Sequence, residues 1–221
     1  MELNYQMVKN NQKINGFIRA TEKYIIELGY TDHGFRHLTI VADRAKKLAR
    51  ELGLTAKEQE LAAVAGYCHD LGNFMGRDMH HYWSALLLSQ ILLPHIEQTA
   101  DLAKVLQAIV NHDNNNLETN NAVAAVLVIA DKSDVHRSRV KQKSLRKIKE
   151  DIHDRVNYAV NDNDLLINRQ TKEITLKLTI NTNWVDPLAY FQIFIERMTA
   201  CQKVAKVFGY KFVLIINNFR F

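Results

Sequence analysis

The sequence has little cysteine and no obvious address label, and each shortage excludes a class of protein. Two cysteines, Cys68 and Cys201, cannot build a disulfide framework and fit a reducing compartment. The opening residues MELNYQMVKNNQK lack an apolar core and a small-residue cleavage site, so no signal peptide is expected. No apolar run approaches the length of a membrane span, and a cytoplasmic protein is the expectation. There is no Gly/Ser linker, no internal repeat and no low-complexity tract. The two prolines, Pro94 and Pro187, both fall at helix boundaries.

What remains is the composition of an ordinary globular chain: 221 residues, 47% hydrophobic and 24% charged. That length supports one sizeable core, or one domain with a modest appendage. The formal charge of +5 suits anionic ligands without identifying one. Much of the excess lies in the run from Arg137 to Lys149, which holds seven basic residues and no acid. It reads first as a solvated helix face, and second as a rim that attracts phosphates or nucleic acid.

Periodicity predicts a mainly helical chain to about residue 160. A first helix ends near Gly29, and Asp32 is positioned to cap a second that runs to Gly53. Thr55-Ala-Lys-Glu58 has the spacing of a capping box and opens a helix ending at His69-Asp70. Asp78 would cap a helix stopped by Pro94. Further helices are expected over residues 97–112, 121–135 and 144–160, with an Asn-rich loop over 111–121. Beyond Asn161 the pattern changes. Residues 164–168 and the alternating 173–180 read as a hairpin turning at 169–172, Asp186-Pro187 opens a helix to Gly209, and 211–217 reads as a last strand. The expected fold is thus a helical bundle over residues 1–160, with a small α+β appendage of ββαβ order over 161–221 packed on it.

Six groups interrupt the apolar stripes of these helices. His37 shares a face with Val41, Ala45 and Leu48, and His69 follows Leu61 and Ala65. His80 precedes Ser84 and Leu87, His112 closes the series Val105, Ala108 and Ile109, and Asp131 follows Ala124, Leu127 and Val128. A lone histidine on such a face is usually a satisfied core residue. An unpaired carboxylate there carries a large desolvation cost, and so does the adjacent pair His69-Asp70. Five helices each pointing such groups inward favour a shared cation at their meeting point.

His37, then His69-Asp70 within His-Asp-Leu-Gly, then Asp131 within Ala-Asp-Lys-Ser-Asp, resembles the HD-domain superfamily of metal-dependent phosphohydrolases. The likeness covers roughly residues 30–140. His80-His-Tyr-Trp-Ser84 and Ile109-Val-Asn-His112-Asp113 are similar to further motifs of that family, except that Asp113 stands where many members carry a second histidine. The resemblance implies that His37, His69, Asp70 and Asp131 hold one divalent metal, with His80 and His112 holding a second where the site is binuclear. Mn, Fe, Mg, Co and Ni are not distinguished. His81 competes with His80 for the ligand role, and the spacing to Ser84 favours His80. The resemblance does not extend to cyclic-dinucleotide phosphodiesterases, because no Gly-Tyr-Pro extension follows His112.

The expected activity is hydrolysis of a phosphomonoester or a nucleotide-like phosphodiester by a metal-activated water. Asp70 would ligate metal and orient that water. Lys132 and Arg137 would steady phosphate charge, and His33 would contact substrate or a ligand. The expected partner is a small phosphorylated substrate, with no membrane, nucleic acid less favoured, and a homodimer compatible with the chain. Two other readings share these residues: a non-catalytic nucleotide- or nucleic-acid-binding regulatory module with a structural metal, and oxygenase chemistry at a di-iron site.

Overall fold

A computed structural model describes residues 2–97, 99–113 and 121–221; most of the Asn-rich loop, 114–120, lies outside the described residues. The helical part comprises α1 (Tyr5–Lys9), α2 (Gln12–Glu27), α3 (Phe35–Glu51), α4 (Ala56–Cys68), α5 (His80–Leu92), α6 (Thr99–Asn111), α7 (Ala122–Lys132), α8 (Leu145–Glu150) and α9 (Ile152–Ala159). The appendage holds β1 (Val160–Asn168), β2 (Glu173–Ile180), α10 (Pro187–Ala205), β3 (Lys211–Ile216) and β4 (Phe219–Arg220). Among the described residues no helix is long and apolar enough to cross a membrane.

Two helices form the centre. α4 is buried continuously from Leu61 to Cys68, and α7 from Val123 to Ala130. A helix that is apolar all round needs neighbours on every side. α7 packs against α3, α4, α6 and α10, so the appendage covers one of its faces. The capping box at Thr55 is present, with Thr55 and Glu58 satisfying each other's backbone N–H groups.

Several expected boundaries shift. Asp32 does not cap α3. The N-cap is Gly34, whose N–H donates to Asp32 Oδ1, while the Phe35 N–H donates to Glu22 Oε1 on α2. Asp78 does not cap α5 either: Met79 stands there in a left-handed conformation, φ 59°, which costs a non-glycine residue about 1 kcal/mol or more. The helix expected over 144–160 breaks at Asp151, which ends α8 and caps α9 by accepting from Asp154 N–H. β1 begins at Val160 rather than 164, with a bulge between Val160 and Asp162.

The sheet has strand order β1-β2-β3-β4, with β1 and β2 antiparallel, β2 and β3 parallel across α10, and β3 and β4 antiparallel. The two-residue β4 extends the expected ββαβ unit by one strand. β1 is tied to the bundle by Asn163. Its Nδ2 donates to the carbonyls of Ser133 and Val135, and its Oδ1 accepts from Arg44. The chain just after α7 is thereby fixed from the sheet side.

The packing of α3 on α4 positions both His37 and His69, and it is close because Gly66 has no side chain. A Cβ there would lie 2.8 Å from Ala42 Cα and 2.9 Å from Ala42 N. Gly66→Ala should lower stability by about 1–3 kcal/mol through overpacking, although alanine is the better helix former by about 1 kcal/mol. A urea midpoint equal to or above the wild type would show that the two helices have room to separate.

Candidate metal centre

Adjacent residues on a continuous helix diverge by 100°, so His69 and Asp70 reach one point only because α4 ends there. His69 is the last position with helical angles, and Asp70, at φ −108° and ψ 13°, opens the short 3-10 helix over Leu71–Met75. Both side chains then face the first turn of α3, the start of α5 and the ends of α6 and α7. A second close approach supports this corner, since a Cβ on Gly72 would meet Ser84 N at 2.7 Å and His80 O at 2.8 Å.

The six groups converge. His37 Nε2 is 3.4 Å from Asp131 Oδ1 and 3.9 Å from Asp70 Oδ2. His69 Nε2 is 3.5 Å from Asp70 Oδ2 and 3.6 Å from Asp131 Oδ1. On the other side of Asp70, Oδ1 is 3.3 Å from His80 Nε2 and 3.9 Å from His112 Nε2. His81 lies outside these groups, which distinguishes it from His80.

The hydrogen bonds determine which ring nitrogen faces the centre. His69 Nδ1 lies 2.9 Å from the Gly66 carbonyl, His80 Nδ1 2.8 Å from that of Arg77, and His112 Nδ1 2.6 Å from that of Ile109. His37 Nδ1 lies 2.7 Å from Asp134 Oδ2. All four partners are acceptors, so every Nδ1 carries a proton and every Nε2 is left to face inward. His37 Nε2 and His69 Nε2 are buried with no hydrogen-bond partner. His80 Nε2 and His112 Nε2 face each other at 3.4 Å. Orphaned imidazole nitrogens beside buried carboxylates are a donor set that fits a divalent cation. Three overlapping sets meet that condition: His37, His69 and Asp70; His69, His112 and Asp131; and Asp70, His80 and His112.

The electrostatics are those of a site needing positive charge. Burial opposes ionisation of Asp70, yet His69 and His80 hold its carboxyl well below the usual carboxylate range. Asp131 is likewise held down against burial, by Lys132, His37 and His69. Burial, then His69 and His80, push the His112 imidazole down to about 3. Burial acts the same way on His69, but Asp70 and Asp131 outweigh it and raise its pKa to about 9.

Cations line the cleft above. The Lys132 ammonium is buried; it donates to the His112 carbonyl at 2.7 Å and lies 3.4 Å from both Asp113 and Asp131. Arg77, Arg139 and Arg197 share this lining with His33. His33 lines the cleft as expected of a substrate contact, and there its Nδ1 donates to Thr31 O and its Nε2 accepts from Arg139. Arg137 lies away from the cleft. It is exposed, lies over the Tyr158 ring at 4.7 Å and donates to Asn161 Oδ1. Arg139, two residues on, lines the cleft instead.

Sequence reasoning missed four residues. Asp134 is buried and receives both terminal nitrogens of Arg36, at 3.0 and 3.1 Å, besides His37. Its signal was present, a second carboxylate three positions after Asp131. Arg77 sits in a loop with no pattern to mark it, Arg139 ends a 3-10 turn inside the basic run that hid it, and Arg197 arrives from α10, in the appendage.

A helical bundle with a buried histidine–aspartate centre at its helix ends defines a class, and comparison with known proteins names it. The HD domain family model matches residues 34–166. The chain belongs to the HD domain superfamily of metal-dependent phosphohydrolases, whose members bind divalent metal. It is also 28% identical over 157 residues to an uncharacterised protein, MJ1020, of Methanocaldococcus jannaschii. That match covers 61% of this chain and about 60% of the relative's length.

The raised pKa of His69 has a consequence for the chelator-treated protein. Because the folded-state value lies above the ordinary 6.5, the proton on His69 stabilises the fold. This contribution is complete below pH 6.5 and is lost as pH rises through about 9. Metal-free wild type should therefore lose up to about 3 kcal/mol between these limits, and His69→Ala should lose much less. Identical pH profiles for the two proteins in chelator would contradict that assignment.

Proposed function

We propose that the protein hydrolyses a phosphoester of a small phosphorylated substrate, a phosphomonoester or a nucleotide-like phosphodiester. The observation that carries this reading is the convergence of four Nε2 atoms, each fixed by its protonated Nδ1, on Asp70 and Asp131 beneath a cleft lined by lysine and arginine. His37, His69, Asp70 Oδ2 and Asp131 would hold one cation, and Asp70 Oδ1, His80 and His112 a second, with Asp70 shared between them. A bound divalent cation supplies charge against phosphoryl oxygens and makes a water more acidic.

The protein's own groups do the rest. Asp70 accepts a hydrogen bond from the attacking water and orients it. The new bond joins that water's oxygen to phosphorus as the ester P–O bond breaks, and the proton the water gives up ends on the departing ester oxygen, which leaves as the alcohol. Lys132 Nζ, anchored by the His112 carbonyl, places positive charge at the mouth of the site, where phosphoryl charge develops. Asp134 keeps His37 in the tautomer that turns Nε2 inward.

A regulatory module binding nucleic acid through residues 137–149 draws less support. Arg139 is buried, Lys141 lies 3.2 Å from Asp32, Arg146 donates to Glu150, and Lys149 lies over the Trp184 ring. Most of that segment's charge has internal partners. Oxygenase chemistry is separable by its requirement for oxygen.

His69→Ala and Asp70→Ala should each remove most bound metal and metal-dependent phosphoesterase activity while leaving the helical circular dichroism intact. Elemental analysis with a panel of phosphoesters checks this; full metal content and turnover in both variants would end the reading.

The number of ions is read separately. Wild type should bind two equivalents of a divalent metal such as Mn, and His112→Ala one, because the set of Asp70, His80 and His112 then loses a ligand while His37, His69 and Asp70 keep all of theirs. One equivalent in both proteins would leave His80 and His112 as phosphate contacts.

A further inference from the structure

The cleft over the centre is lined by four cations, and their hydrogen bonding separates them. Arg139 Nη1 donates to the Asp134 carbonyl, and its Nη2 to Asp32 O and His33 Nε2. Lys132 is committed to the His112 carbonyl and two carboxylates. Arg77 Nη1 donates to Asn73 Oδ1. Arg197, a half-buried residue of α10, makes no hydrogen bond and no ion pair among the described residues. Only the face of its guanidinium is engaged, 5.0 Å from the Phe194 ring centroid.

Stacking on a ring leaves the N–H edge of a guanidinium free. No nitrogen of that edge is sealed from solvent among the described residues, so an anion entering the cleft can meet several N–H donors at once. Asp131 and Asp113 lie in its electrostatic field without pairing with it. Arg197 also lines a neighbouring groove of about 570 Å3, between α10 and the His112, Asp113 and Lys132 side of the centre. It therefore stands where the reaction centre opens into the one recess large enough, among those described, to take the body of a substrate at that mouth.

Resting on the phosphohydrolase reading, we propose that Arg197 grips the non-bridging oxygens of the substrate's phosphoryl group with its guanidinium fork, while the rest of the ester lies along α10. The appendage would then complete the active site rather than merely cover the bundle. It would also favour esters that keep a free phosphoryl anion on the α10 side.

The test uses the metal-loaded, full-length protein with inorganic phosphate as probe, followed by calorimetry, alongside elemental analysis. Arg197→Met should keep metal content and thermal midpoint, weaken phosphate binding tenfold or more, and raise KM for a hydrolysed phosphomonoester more than it lowers kcat. Arg197→Lys should recover part of the affinity and less of the bidentate contribution. Should the Met variant fold poorly, Arg197→Gln supplies the same comparison. Unchanged phosphate affinity in these variants, or no phosphate binding by wild type, overturns the proposal. Phosphate binding that depends on Arg197 in a protein hydrolysing no phosphoester would instead refute the proposed activity and leave the anion site standing. Turnover with Arg197 irrelevant would do the reverse.

Discussion

Every other feature of the centre depends on the anchoring of Nδ1 in four buried imidazoles. Three of the four use the same device. His69, His80 and His112 each donate to the carbonyl three residues earlier, on Gly66, Arg77 and Ile109. For His69 and His112 those carbonyls belong to the last turns of α4 and α6, where backbone oxygens lack helical partners. The helix end thus supplies an acceptor to the histidine that follows it; the Ile109 carbonyl takes the His112 ring N–H at 2.6 Å in addition to the His112 backbone N–H at 3.4 Å. The negative end of the helix dipole also favours positive charge at that place.

His37 cannot use this device, because it lies in the first turn of α3, where backbone carbonyls are committed to the helix. Its acceptor has to come from elsewhere, and Asp134 supplies it from the turn after α7. Burial opposes ionisation of Asp134, but the His37 hydrogen bond, with Arg139 and Arg36 beside it, holds its carboxyl well below the usual range. One histidine at the wrong end of a helix therefore requires a carboxylate, that carboxylate requires two arginines, and the second arginine is the one that occupies His33. The arrangement of the cleft wall follows from the position of His37 in α3.

The parts legible in the sequence were those written in local or periodic patterns. The ligand positions interrupt apolar stripes, the capping box at Thr55 is a four-residue signal, and the alternation over 173–180 marks β2. What was not legible depends on partners distant along the chain. α3 is capped by Glu22 rather than Asp32, because the orientation of α2 and not sequence distance brings a carboxylate to Phe35 N–H. Arg137 and Arg139 are indistinguishable as letters in a basic run. Packing turns one onto Tyr158 and buries the other against Asp134. β4 pairs over only two residues, Ile215 with Arg220 and Ile216 with Phe219, too few for any period to register.

The relation of the appendage to the bundle is also a matter of packing. α7 is apolar on all sides because it lies at the centre, and α10 closes one of those sides. An element that covers α7 along its length necessarily passes near Asp131 and Lys132, which end it. α10 meets this position with Tyr190, Phe194 and Met198 buried on its inner face. Arg197 follows Phe194 by one turn and precedes Met198, at the margin where that face gives way to the cleft. The requirement to bury a core helix thus brings a cation from residue 197 to a centre whose six groups span residues 37–131. The wall of the cleft is therefore shared between the bundle and the appendage.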